Sequence, residues 1–185
     1  MATIRVVVQT SLAPAHVLAA ARDFSDRRAK VFTAVSVDRL VVHQLGDASA
    51  DATEGTAIGP FGANWERCHY DWSRPDSVKA PVTDSNVYTV PGSSWEIKAL
   101  PSDGGSRVEM IWERKFRRNL RGILFGTAFR AFGKPIFNKY AREIVANIES
   151  LNETGHAVAP TEPGRTVSGG SALSAHLQNL DAVAV

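Results

Sequence analysis

The chain has 185 residues, of which 44% are hydrophobic and 22% charged. That is the balance of an ordinary globular protein with enough apolar material for one core. A formal net charge of +2 is too small for a protein built mainly to neutralise phosphates, and a single cysteine, Cys68, excludes both an internal disulfide and a paired-cysteine metal centre. No window approaches the roughly 18 uncharged apolar residues of a membrane span. The opening "MATIRVVVQTS" lacks the basic leader and long apolar run of a secretory signal, so the expected setting is the reducing cytoplasm.

In chain order, residues 3–10 alternate like a strand, with Ile4, Val6 and Val8 on one side. "SLAPAHVLAAARDF" reads as a helix with Pro14 in its first turn, where a missing N–H costs nothing. Its apolar stripe is Val17, Leu18 and Ala21. Ser25 is placed to cap a second, short helix through "DRRAKVF".

Residues 36–45 and 50–59 read as the second and third strands, separated by a turn at Gly46 and Asp47. A fourth strand lies in "FGANWERCHYDW" and stops at Arg74 and Pro75. Residues 77–90 read as strand broken at Pro81. "SSWEIKAL" and "SRVEMIWERKF" form a hairpin around Asp103, Gly104 and Gly105.

From Asn119 to about Asn152 the period changes to that of a long helix, with Phe125, Phe129, Phe132, Ile136, Tyr140, Ile144, Ile148 and Leu151 on one face. Pro135 is expected to kink or divide it, and Gly122, Gly126 and Gly133 to loosen its first half so that it moves over whatever lies beneath. Residues 154–185, rich in Pro, Gly, Ser and Ala, read as a disordered tail behind a domain of residues 1–153.

The fold class is therefore α+β. A long antiparallel sheet must cover one face, and the terminal helix is the only large apolar object left to do it. The element order, together with "SLAPAHVLAAARDFSDRRAKV", "WERCHYDWSRP" and "DGGSRVEMIWERKF", resembles the helix-grip fold of the START-like (SRPBCC, Bet v 1-like) superfamily, and within it the polyketide cyclase/dehydrase and lipid-transport branch. The resemblance covers roughly residues 3–152. It implies a curved sheet of about six to seven strands wrapped around the C-terminal helix, two short helices after the first strand, and a hydrophobic pocket under the long helix. It does not imply one activity.

Alternation along "WERCHYDW" puts Glu66, Cys68, Tyr70 and Trp72 on one face and Trp65, Arg67, His69 and Asp71 on the other. The first set has more apolar bulk and is assigned to the pocket. The second then forms a solvated ladder, although a one-residue bulge would reverse the assignment and bring Arg67 and His69 inside. On the last two strands Trp95, Ile97 and Ala99 and Val108, Met110, Trp112, Arg114 and Phe116 face the same way.

The expected lining is thus Cys68, Tyr70, Trp72, Trp95, Ile97, Met110, Trp112 and Arg114, with Phe125, Phe129 and Phe132 from the helix. Arg114 has two readings, a bidentate partner for a ligand oxygen or a rim residue whose head reaches water. Glu66 reads as a wet residue at the strand end. Tyr88, like Tyr70, offers a hydroxyl.

The first functional expectation is a binder or carrier of a small hydrophobic molecule (a lipid, fatty acyl or polyketide-like compound). It would use no cofactor and no metal, bind no nucleic acid, and touch membranes at most through transient surface contact. The second is an aromatase/cyclase or dehydratase in which His69, Arg114 or Tyr70 steers protons and enolate charge. The third is a protein-interaction module using the basic run "RKFRRNLRG", residues 114–122, and the tail.

Overall fold

The computed structural model describes residues 1–57 and 63–154. The predicted tail, apart from Thr154, and the end of the third predicted strand lie outside the described residues. Strand β1 (Ala2–Thr10) is followed by helix α1 (Pro14–Arg22), the one-turn helix α2 (Arg28–Val31) and a 3-10 turn at Val37–Arg39. Then come β2 (Val41–Leu45), β3 (Ser49–Ala57), β4 (Ala63–Asp71), β5 (Ser77–Ser85), β6 (Ser94–Ser102) and β7 (Gly105–Arg114), and finally α3 (Leu120–Glu153).

All strand pairings are antiparallel, in the order β1-β7-β6-β5-β4-β3-β2. Strand β1 therefore returns to pair with β7, the last strand in sequence, and leaves β2 on the far edge. Ile4, Val6, Cys68, Tyr70, Val78, Ala80, Ile97 and Met110 share the buried face, which α1, α2 and the second half of α3 cover.

Local chemistry explains the ends of these elements. Pro14 opens α1, where its ring presets φ and no donor is lost. Asn119 caps α3, its Oδ1 accepting from the Gly122 N–H at 2.8 Å. Ser102 pairs with Gly105, so the β6–β7 hairpin is a tight turn at Asp103 and Gly104. Gly105 is required there, since a Cβ would lie 2.0 Å from the Thr10 carbonyl oxygen.

Four sequence expectations are corrected. Ser25 does not cap α2: its hydroxyl accepts from the Arg27 N–H, a local turn that competes with helix capping. The second strand starts only at Val41, because 37–39 turn as 3-10 helix. Residues 77–85 form one unbroken strand through Pro81. The proline is exposed, and the β4–β5 ladder beside it is already shifted between Arg67 and Cys68, where Thr83 donates its hydroxyl to the Arg67 carbonyl. Residues 87–89 then run beside 115–117, with a bridge between Tyr88 and Phe116.

The fourth correction concerns α3, which is continuous through Pro135. The proline is on the exposed side, where the carbonyl it deprives of a donor is open to water. Nor do the glycines loosen the helix. Gly122, Gly126 and Gly133 are buried and form its inward ridge, and a Cβ would meet the Arg117 carbonyl, the Phe116 ring and the Ile4 side chain at 2.1, 3.1 and 2.5 Å respectively. The inward face of the first half is therefore glycine with Phe129 beside it, and the rest of the predicted stripe in this half turns outward. Phe132 and Ile136 are exposed.

Glycine-to-alanine changes in helices normally stabilise by about 1 kcal/mol. The contact with Arg117 reverses that sign at Gly122. Gly122→Ala is expected to lower stability by about 1–3 kcal/mol, read as a fall in the urea midpoint with unchanged slope.

Candidate functional site

A cavity of about 580 Å³ lies between the sheet and the middle of α3. Trp95, Met110 and Trp112 form its sheet wall, and Phe137, Tyr140 and Ile144 form its helix wall. Phe32 and Val35, after α2, close one end. Ala34, Ile136, Lys139 and Glu143 border it and are exposed, so the mouth lies between the 33–36 loop and α3. The walls are held by ring packing: Trp112 sits 4.6 Å from Phe137 and 6.3 Å from Tyr140, and Phe32 sits 5.9 Å from Trp95.

The polar part comes from facing strands. Glu54 on β3 and Glu66 on β4 are direct cross-strand partners, and both border the cavity. Two carboxylates so placed repel unless each is neutralised. Each has its own arginine. Arg114, on the inward face of β7, donates one hydrogen bond from Nη2 to Glu66 Oε1 at 3.1 Å, and its Nη1 stands 3.0 Å from the other carboxylate oxygen as an ion-pair contact. Its guanidinium carbon lies 4.4 Å from the centre of the Tyr88 ring.

Arg28, completely buried, pairs with Glu54. It also donates to the Ala21 and Asp23 carbonyls at 3.1 and 3.3 Å, inside an aromatic cage of Phe24, Phe32 and Tyr70. At the mouth Lys139 and Glu143 are 3.8 Å apart. Every carboxylate bordering the cavity is thus matched by a cation.

Burial sets the titration of these groups. It pushes the Glu66 carboxyl above its ordinary 4.5, against the pull of Arg114 and with added repulsion from Glu54. It also pushes up the phenols of Tyr70, Tyr88 and Tyr140 and the thiol of Cys68. Cys68 therefore has neither the exposure nor the acidity of a reactive cysteine.

Of the residues expected to line a pocket, Trp95, Met110, Trp112 and Arg114 do so. Cys68, Tyr70 and Ile97 are fully buried beneath the cavity rather than on it. Their face was read correctly, but side chains stacked above them fill the space. Trp72 stacks on Phe24 and donates its indole N–H to the Asp47 carbonyl at 2.8 Å, beyond the cavity.

Phe125, Phe129 and Phe132 lie off the cavity as well: Phe132 turns outward, and Phe129 faces inward but beside the glycine ridge, short of the cavity. Phe129 packs on Phe116 and Phe137. Among the candidate proton-transfer residues, His69 is on the outer face, its Nδ1 3.4 Å from Asp51, in the solvated ladder with exposed Arg67 and Asp71. Arg114 is no rim residue, being 4% exposed, and Glu66 is no wet strand end.

Sequence reasoning missed Phe32, Glu54, Trp65 and Phe137. One signal was available for Phe137, which stands four residues after Gly133 and continues the inward ridge. Strand alternation assigned Trp65 to the outer face, yet it borders the cavity.

The two members of the Arg114–Glu66 pair are not equivalent. Glu66→Leu leaves a buried cation that cannot shed its charge, and is expected to cost about 3–5 kcal/mol with little dependence on pH. Arg114→Met leaves a carboxyl that can take up a proton. Its folded pKa then rises further above the ordinary 4.5. A raised carboxyl contributes stability that is fully present below 4.5 and is lost as pH climbs through the folded value. The deficit of Arg114→Met against the parent should therefore be small in acid and grow toward neutrality, as measured by urea denaturation across pH. Replacing both residues with apolar ones should recover much of the Glu66→Leu loss.

No protein-family model matches the sequence, and no curated protein matches it. Solved structures do. A protein from Thermus thermophilus superposes with a TM-score of 0.65 at 12% identity, over 80% of this chain and 98% of its own. The Zhui aromatase/cyclase of a Streptomyces superposes at 0.61 and 10%, over 88% and 99%. A START superfamily protein from Mycobacterium smegmatis does so at 0.53 and 8%, over 84% and 96%. At these identities the shared property is the fold: this chain has the helix-grip fold of START-like and Bet v 1-like proteins.

Proposed function

We propose that the protein binds a small, largely apolar molecule with a neutral polar end in the cavity between the sheet and α3. The observation that carries this reading is the cavity itself. It is about 580 Å³ in volume, within the usual range for small-molecule sites, with aromatic and aliphatic walls and the Arg114–Glu66 pair on its border. The neutral polar end follows from charge matching. An anionic ligand would have to compete with Glu66 for Arg114, and a cationic one with Arg114 for Glu66, each at the cost of breaking a buried pair. A hydroxyl or carbonyl needs no such exchange. The Nε and Nη1 of Arg114 are buried and make no hydrogen bond within the protein, so the guanidinium keeps donor capacity that Glu66 does not use.

A second reading, catalysis of a cyclisation or dehydration, draws support from Glu66. A carboxyl whose proton affinity burial has raised, beside a fixed cation, suits proton transfer and stabilisation of a developing enolate. Arg114 and Glu66 are the residues for that role. His69 lies on the wrong face and Tyr70 lies beneath the cavity.

The test is native mass spectrometry after gentle purification, joined to titration with Nile red as a neutral apolar probe and with a fatty acid of similar length. Bound neutral small molecules, Nile red fluorescence enhancement and weaker competition by the fatty acid are expected. Narrowing the mouth with Ala34→Trp together with Ile136→Trp should weaken Nile red binding by about tenfold or more without changing the melting temperature. Repeated recovery of an empty protein indifferent to the probe would overturn the binding reading.

A further inference from the structure

The first half of α3 carries a face that nothing in the described residues covers. Leu120, Ile123, Leu124, Phe132 and Ile136 are each between 58% and 85% exposed. Ala128 and Ala131 are exposed between them. Projected at 3.6 residues per turn, Leu120, Leu124, Ala128, Ala131 and Pro135 point directly away from the glycine ridge and include no charge. Ile123 flanks this strip on one side and Phe132 on the other, with exposed Ile136 between Phe132 and the glycine ridge. It extends over about 24 Å of helix. Soluble chains rarely leave a contiguous apolar strip of this kind in water without a use for it.

The charge around the strip says what it meets. Between Lys115 and Lys139 the sequence has seven cations (Lys115, Arg117, Arg118, Arg121, Arg130, Lys134 and Lys139) and no carboxylate. The whole chain has 21 cations against 19 carboxylates, so outside this stretch 14 cations face 19 carboxylates and the balance is negative. The positive charge is thus concentrated on the first half of α3 and on the short segment that leads into it. Arg121 and Lys139 fall on one flank in projection, Arg130 and Lys134 on the other. Arg117 reaches Asp84 at 3.8 Å and Lys139 reaches Glu143 at 3.8 Å, and surface pairs of that length are weak against a field of many anions.

We propose that the first half of α3 is a docking face for an anionic bilayer surface, with its leucines and Phe132 entering the acyl boundary and its flanking cations meeting lipid phosphates and carboxylates. A helix of this type lies in the interface. It does not span, and no described helix is long and apolar enough to do so. Ile136 and Lys139, at the end of the strip, also border the cavity mouth, so docking brings the mouth to the lipid. The face stands on exposure and charge alone and is independent of what the cavity holds.

The experiment is co-sedimentation of the full chain with vesicles of phosphatidylcholine alone and of phosphatidylcholine with phosphatidylserine. Binding is expected on the anionic vesicles only, and should disappear in about 1 M salt, where the screening length falls to roughly 3 Å. Leu120→Glu with Leu124→Glu should reduce partitioning by about tenfold or more. Arg118→Glu with Lys134→Glu should do the same. Neither pair lines the cavity, and all four side chains are exposed, so unfolding temperature and Nile red binding should be unchanged. Failure of the lipid result with Nile red binding retained therefore sinks the docking face and leaves the cavity reading standing. Equal binding to both vesicle types, no binding to either, or partitioning untouched by the leucine changes would overturn the proposal. So would concentration-dependent self-association, seen by analytical ultracentrifugation and abolished by the same leucine changes, which would assign the face to a second copy of the chain.

Discussion

The structure depends on how α3 is seated against the sheet. The helix is pressed close at two places by different means. Toward its start Gly122, Gly126 and Gly133 let the backbone approach Arg117, Phe116 and Ile4 at distances that leave little room for a side chain. Toward its end Ala141, Ile144, Val145 and Ile148 are buried in the common core. Between these anchors Phe137 and Tyr140 meet Trp112 and prop the helix off the sheet. Rigid aromatic rings of fixed size cannot collapse into the gap they hold open. The cavity is a consequence of that spacing, and so is the outward turn of the apolar strip.

The second constraint is charge. Arg28 and Arg114 are both buried, and neither can lose its proton at any relevant pH. Burial of such groups is tolerable only with a carboxylate in good geometry, and the facing strands β3 and β4 supply one each, Glu54 and Glu66, at opposed positions. Each arginine also relieves the repulsion between the two facing carboxylates. Arg28 serves the fold, since it is caged by Phe24, Phe32 and Tyr70 and ties the short helices to β3. Arg114 sits on the cavity, where the same pairing sets the polarity of the wall. The raised Glu66 carboxyl marks burial winning over the attraction of its partner.

The two surfaces of α3 have separate physical origins and one geometric link. On the cavity side α3 faces aromatic walls and a charge-balanced polar end. The proposed attraction to an anionic surface would come from the seven cations between Lys115 and Lys139, a stretch with no carboxylate of its own. Ile136 and Lys139 belong to both. A molecule leaving a lipid surface would meet the mouth without crossing much water, which is the step that limits transfer of apolar compounds.

The sequence by itself determined the α+β class, the antiparallel hairpins, and which face of β4, β6 and β7 turns inward. Those are period-two properties, and Cys68, Tyr70, Ile97 and Met110 obey them. It determined the long terminal helix for the same reason at a longer period. The tertiary structure alone decided which side of that helix meets the sheet. Counting large apolar residues selects Phe125 and Phe132, whereas close approach selects glycine, and approach distance is not a property of any one segment. The partners of Arg28 and Arg114 were also beyond reach. Strand pairing brings Glu54 to Glu66, and 26 and 48 residues separate the two ion pairs' members in sequence. Such long-range pairs form only when the whole sheet has closed.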